Sequence, residues 1–189
     1  MARLYLIRHG KPAAVWGGDD DDPGLDETGQ AQALAVRDWL MALPPQDRPT
    51  KVVSSPLRRC QETAQPTARA LGVAVEVDPR VGEIPTPAAL APEERGPWLR
   101  TSFAGAWADI DGDLDYDAWR REIAASLVAR GNTAVFSHFV ATNAVVSQLL
   151  DDPRVVVFRP DHTSVTVLES DGSALSLVEM GREATTGVL

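Results

Sequence analysis

KVVSSPLRRCQETAQPTARALGVAVEV, residues 51–77, decides the fold. It opens on a short β-branched run, KVVS (51–54), and closes on another, VAVEV (73–77). Between them Ser55-Pro56 has the form of an N-cap followed by proline at the first helical position, which predicts a helix to about Leu71. Two strands joined by a helix form a parallel crossover unit, and a parallel sheet must be covered by helices on both faces.

The same alternation extends in both directions. Residues 3–8 (RLYLIR) are strand-like and end at His9-Gly10. Ala33, Val36, Leu40 and Leu43 fall at helical spacing within 28–43, after Asp26 as a candidate N-cap. Tyr116, Trp119, Ile123 and Leu127 mark an amphipathic helix that ends before Gly131-Asn132. Residues 133–137 (TAVFS) form a strand and 139–150 an apolar helix, with further strands expected at 155–158, 163–169 and about 174–180. The fold class is therefore α/β: a single three-layer α/β/α sandwich over residues 1–189, with a mostly parallel central sheet and an antiparallel edge. Residues 84–112, rich in Pro, Gly and Trp, interrupt the alternation as an irregular insertion with at most one short helix.

Composition bounds the function. The 189 residues are 44% hydrophobic and 24% charged, an ordinary globular balance. One cysteine excludes an internal disulfide framework and a thiolate zinc cluster, and fits a reducing, cytoplasmic setting. No apolar run approaches the roughly 18 residues of a membrane span, and no signal peptide is apparent. The net charge of −9 excludes a general nucleic-acid binder and at first sight disfavours an anionic substrate. The acids are concentrated, however. Residues 19–27 hold six and 109–117 hold five, and outside those stretches 16 acids face 18 Lys and Arg. A pocket answers to its local field, so the total charge does not decide the substrate. The first stretch follows the first strand closely enough to line the approach to a site there, and Asp19–Asp22 are expected to repel polyanions. The second has acids at calcium-loop spacing from Asp111, but Tyr116 stands where the loop requires glycine, so it reads as a helix start after a turn.

In open α/β sheets ligands gather outside the carboxyl ends of the strands. Those ends deliver Arg8-His9-Gly10, Ser54-Ser55-Pro56-Leu57-Arg58-Arg59 and Ser137-His138. Arginine matches phosphate oxygens with paired donors, and histidine is neutral and nucleophilic, or cationic, after a small shift. Three coincident ends of this composition point to phosphoryl chemistry.

These residues resemble the histidine phosphatase superfamily, the phosphoglycerate mutase-like proteins. LIRHG at 6–10 is similar to its signature, LDETGQAQA at 25–33 to its L-T-x-x-G-x-x-Q-A helix start, and SSPLRRCQETA at 54–64 to S-S-P-L-x-R-A-x-x-T-A. DPRVGE at 78–83 resembles D-x-R-L-x-E, and Ser137-His138 the second histidine. The resemblance implies His9 as the nucleophile that forms a phosphohistidine, with Arg8, Arg59 and His138 (the last as a cationic donor) on the phosphoryl oxygens. It implies Glu83 as the acid and base for leaving group and water. It implies neither metal nor cofactor, and a small phosphorylated substrate; the oligomeric state stays open. Arg58 falls off the motif and reads as surface or substrate rim.

The pattern is broken at Phe139-Val140, where the family carries Gly-Gly, and after Glu83, so substrate preference does not transfer. Phe139 is expected to re-shape the pocket mouth and to pack on an apolar leaving group. The chain also lacks the longer insertion of phosphoglycerate mutases, which favours a phosphatase over mutase-type phosphotransfer. A protein phosphohistidine phosphatase and a non-enzymatic phosphate-binding scaffold are the remaining readings. His162 reads as a turn or surface residue, Cys60 as a small packing residue, and Trp39 and Trp119 as core. Trp16, Trp98 and Trp107, in loops, are candidates for a substrate wall or for partial burial.

Overall fold

The computed structural model describes residues 1–14 and 22–185; Trp16 and Asp19–Asp21 lie outside them, and with them the expectation that this stretch repels polyanions. Six strands form one sheet in the order β3-β2-β4-β1-β5-β6. They are β1 (Ala2–Arg8), β2 (Lys51–Ser54), β3 (Val75–Val77), β4 (Thr133–Ser137), β5 (Val165–Ser170) and β6 (Leu175–Glu179). The first four run parallel, while β5 pairs antiparallel with β1 and β6 antiparallel with β5. The mostly parallel sheet with an antiparallel edge is thus the observed architecture.

Five helices cover it: α1 (Glu27–Ala42), α2 (Arg58–Leu71), α3 (Pro92–Phe103), α4 (Tyr116–Val128) and α5 (Phe139–Leu149). Alternation along the strands sorts the core into two layers. Leu4, Leu6, Val53, Val135 and Leu168 pack with Ile123, Leu127, Ala141 and Val145 on one face. Tyr5, Ile7, Val52, Ala134, Phe136 and Val167 pack with Val36, Leu40, Cys60 and Ala64 on the other. Asp26 caps α1 by accepting from the Gly29 amide at 2.7 Å. Asp115 caps α4 by accepting from the Ala118 amide at 2.8 Å, and Asp113 accepts from the Ala88 amide at 2.6 Å, so carboxylates of the second acidic stretch serve backbone groups.

Several expectations need correction. α2 begins at Arg58, with Leu57 as its N-cap residue, and not at Pro56. Ser55 stays outside the helix: its amide donates to the Phe136 carbonyl at 2.9 Å, continuing the line of β2. Its Oγ accepts from the Leu57 amide at 3.3 Å and meets His138 Nε2 at 2.7 Å. Residues 155–158 are not a strand. The side-chain oxygen of Asn143 accepts from the Val157 and Phe158 amides at 2.9 and 3.2 Å, and the Gly105 carbonyl from that of Val155 at 3.1 Å, so these donors are satisfied without a ladder. β5 starts at Val165 because Thr163 adopts φ 54° and donates its amide to the Arg8 carbonyl at 3.1 Å. Trp39 is 43% exposed, with its ring edge-on to Tyr5 at 5.9 Å, because the buried stripe of α1 runs through Ala33, Val36 and Leu40. Trp119 is half-buried against the core.

The insertion holds α3, a full helix, and a 3₁₀ turn at Trp107–Asp109. Trp107 is fully buried and donates its indole N–H to Ser147 Oγ at 2.9 Å, which settles it as core. Trp98 is half-buried, 5.7 Å from the Tyr116 ring, and donates to the Asp111 carbonyl.

Candidate active site

The register Arg8↔Ser137 and Ser54↔Phe136 brings the carboxyl ends of β1, β2 and β4 side by side. The residues that follow them, His9, Ser55 and His138, therefore converge on one point. Gly10 lets the chain turn away against the start of α1: a Cβ there would meet the Gly29 carbonyl oxygen at 2.8 Å. Its amide donates to Thr63 Oγ1 at 3.0 Å, tying the turn to α2.

His9 is 5% exposed. Its Nδ1 lies 2.8 Å from the Gly10 carbonyl oxygen. A carbonyl only accepts, so Nδ1 carries the hydrogen and Nε2 presents its lone pair. Arg59, on the first turn of α2, donates its Nε–H to that Nε2 at 3.2 Å. Burial, then the Arg59 and Arg8 guanidiniums, hold the ring well below the ordinary histidine value, and the bond to Gly10 opposes them weakly. The ring is neutral, as a nucleophile must be.

His138 is fully buried, its ring centroid 5.3 Å from that of His9. Nε2 is 2.7 Å from Ser55 Oγ, and Nδ1 is 3.3 Å from both Arg59 Nη2 and Glu83 Oε2. Burial, His9 and the guanidiniums lower its pKa well below normal. Burial first, and then His9 and the two arginines, thus favour a neutral ring in the free protein in place of the cationic donor expected from the resemblance.

Glu83 follows the 3₁₀ turn Pro79–Val81, which Asp78 caps by accepting from the Arg80 amide at 2.9 Å. Asp78 is clasped by Arg80 and Arg130, and the Val81 carbonyl accepts from Ser137 Oγ at 2.7 Å, so this loop is pinned to the end of β4. The Glu83 carboxyl accepts from the Ile84 amide and stands 3.6 Å from Arg59 Nη2. Burial raises its pKa, and Arg59 opposes the rise. Such a carboxyl can hold a proton and release it near working pH.

Arg8 is 6% exposed and donates Nη1 to the Pro160 carbonyl at 2.9 Å. Its guanidinium lies over the Phe139 ring, 5.3 Å from the centroid, and Phe139 packs on Phe103 of α3 at 5.6 Å. Phe139 is only 7% exposed, so it serves as a floor under Arg8 more than as a mouth. Burial lowers the Arg8 pKa to about 10, which leaves it cationic at neutral pH.

All five sequence-derived residues, Arg8, His9, Arg59, Glu83 and His138, thus form one cluster. Arg58 points away, paired with Glu62 at 2.7 Å. Cys60 is buried, with Sγ 3.4 Å from His138 Nε2, and burial pushes its thiol up, so it is no nucleophile. Sequence reasoning missed His162. It is 8% exposed and its ring centroid lies 5.9 Å from that of His9. The signal was available: β5 is antiparallel to β1, so its start lies at the same sheet edge as the carboxyl ends of the parallel strands.

Residues 4–90 match the model of the histidine phosphatase superfamily (branch 1). An uncharacterized protein of Mycobacterium tuberculosis is 41% identical over 81 residues, 41% of this chain and 38% of that protein, so the alignment spans well under half of that relative. A protein of Yersinia enterocolitica named "Probable phosphoglycerate mutase GpmB" is 29% identical over 173 residues, 81% of this chain and 77% of that one. Among solved structures, the mycobacterial glucosyl-3-phosphoglycerate phosphatase superposes with a TM-score of 0.72 at 24% identity, over 97% of this chain and 100% of that one, a likeness of fold. The motif order along the chain and the match over residues 4–90, just under half of its length, make this chain similar to the histidine phosphatase superfamily, and the shared architecture is that of the same fold.

Proposed function

We propose that the protein is a metal-independent phosphatase that hydrolyses the phosphomonoester of a small metabolite through a phosphohistidine on His9. The observation that carries this reading is the pair of contacts on one ring: Nδ1 fixed by Gly10 at 2.8 Å and Nε2 addressed by Arg59 at 3.2 Å. An arriving phosphoryl group takes over the donors of Arg59 and frees the Nε2 lone pair. Nε2 then attacks phosphorus in line, and the bond to the leaving oxygen breaks as Glu83 gives that oxygen its proton. Arg8, Arg59 and His138 stabilise the charge on the equatorial oxygens. In the second half Glu83, now ionised, takes a proton from water. The water oxygen attacks phosphorus, the P–N bond breaks, and inorganic phosphate leaves.

The near-complete burial of both rings favours a small substrate over a protein phosphohistidine, and the full set of reacting groups favours an enzyme over a scaffold. The names of the relatives support two chemistries, since one is a phosphatase and one a probable mutase. Mutase-type transfer is the second reading and differs only in what accepts the phosphoryl group. Among the described residues no helix is long and apolar enough to cross a membrane, and the single, buried cysteine supports a cytoplasmic setting.

The test is hydrolysis of 4-nitrophenyl phosphate together with acid-labile phosphoryl labelling. His9→Ala abolishes both. A wild type that shows neither over a broad pH range overturns the reading, and isomerisation of phosphoglycerate decides for the mutase.

A further inference from the structure

The turn that carries His162 is fastened to the nucleophile strand. Arg8 donates its amide to the Ser164 carbonyl at 3.2 Å and its Nη1 to the Pro160 carbonyl, while the Thr163 amide donates back to Arg8. Asp161 accepts from the His162 amide at 2.8 Å and pairs with Arg182 at 2.9 Å, so its carboxylate is engaged away from the imidazole. The ring is almost buried and makes no hydrogen bond among the described residues. An imidazole held rigidly 5.9 Å from the nucleophile's ring, with neither nitrogen engaged by a described residue, is placed to meet a ligand.

The charged and titratable groups around it are Arg8, His9, Asp161, Lys11, Asp26 and Arg182, the last donating Nη2 to the His162 carbonyl at 3.4 Å. Lys11 and Asp26 neutralise each other at 2.8 Å. Burial, with Arg8, lowers the His162 pKa to about 4. At neutral pH the ring is therefore uncharged and offers one donor and one acceptor. That combination matches a hydroxyl, which both donates and accepts, better than a carboxylate, which only accepts. His138, also neutral, has both ring nitrogens engaged, Nε2 by Ser55 Oγ at 2.7 Å and Nδ1 by Arg59 and Glu83 at 3.3 Å, so it offers no such free pair to the rest of the substrate.

We propose that His162 is a specificity residue that hydrogen-bonds a hydroxyl of the leaving group, so that the preferred substrates are polyol or sugar phosphates. This rests on the phosphatase reading above and deepens it.

The experiment compares kcat/KM for sn-glycerol 3-phosphate and n-propyl phosphate, whose leaving groups differ in their hydroxyls, with 4-nitrophenyl phosphate as a general reporter. The wild type prefers glycerol 3-phosphate, His162→Leu lowers that preference by about tenfold, and His162→Gln, which keeps a donor and an acceptor, restores much of it. A wild type without the preference, or a preference that survives His162→Leu, overturns the assignment. So does a wild type that turns over only the aryl phosphate, which leaves the phosphatase reading standing. Equal loss on all three substrates in both variants assigns His162 to the fold or to the phosphoryl step, and also overturns it. A wild type inert on all three overturns the phosphatase reading itself, and this inference with it.

Discussion

The Arg8 guanidinium rests on the face of Phe139, 5.3 Å from the ring centroid, where the family motif carries glycine. Arg8 Nη1 is committed to the Pro160 carbonyl and its Nε is buried without a partner, so the aromatic face is what confines the rest of the group. A cation over an aromatic ring gains about 0.5–2 kcal/mol, more when desolvated. Phe139→Leu keeps the apolar volume but removes the ring face. It is expected to weaken inhibition by inorganic phosphate by several-fold, with a smaller change in thermal stability, whereas Phe139→Tyr stays near wild type. Phosphate inhibition constants for the three proteins are the check, and equal constants refute a role for the ring.

Arg59 is the hub of the cluster: one guanidinium reaches His9 at 3.2 Å, His138 at 3.3 Å and Glu83 at 3.6 Å. Lysine carries the charge but cannot present a planar fork to three partners. Arg59→Lys is expected to lower kcat by about 10²–10³, the size typical for removing one preorganised donor from a developing charge. A loss under tenfold would mean that charge alone suffices.

How much of this was legible in the sequence depends on where each partner comes from. β1, β2 and β4, buried on both faces, announced themselves as continuous apolar runs, and His9, Arg59 and His138 follow from their ends. Asp26 capped α1 as its local chemistry required. Residues 155–158 failed because their partner, Asn143, sits 12 or more positions away on α5 and leaves no periodic trace. Trp39 failed because helical spacing places a residue near a stripe without saying which side of its edge it falls on. His162 leaves no such mark because it precedes an antiparallel strand, whose start and not its carboxyl end lies beside His9.

Asn143 makes a testable case of that non-local dependence. Its oxygen accepts from two amides of the 155–158 segment, and its Nδ2 donates to the Phe139 carbonyl at 3.1 Å. Asn143→Leu is expected to destabilise the protein by about 2–4 kcal/mol, since each buried donor left unpaired costs roughly 1–3 kcal/mol. Urea denaturation measures it, and a change under 1 kcal/mol would show that other acceptors take over.

Glu83→Gln separates the two halves of the reaction. An aryl phosphate has a good leaving group and still phosphorylates His9, but glutamine cannot take a proton from water. Turnover is expected to fall by about 10²–10⁴, with acid-labile phosphoprotein accumulating. If turnover falls and no phosphoprotein appears, Glu83 acts before the covalent step.

The stability of the free protein should also depend on acid through its buried rings. His9, His138 and His162 all have folded-state values below those of the unfolded chain, so between the two values the unfolded chain binds more protons. Stability is then complete above pH 6.5 and is lost as the pH falls through that window. For His162, whose folded value is about 4, the loss falls between pH 6.5 and 4 and is reduced by solvent screening of the ring. Glu83 works the other way: its raised value means the folded protein holds a proton the unfolded chain has released, and stability falls as the pH rises through that interval. Denaturation midpoints of wild type and His162→Leu from pH 7.5 to 4.5 test the sign. The variant is expected to lose distinctly less stability on acidification, and parallel curves would place the His162 ring in contact with solvent or with a carboxylate.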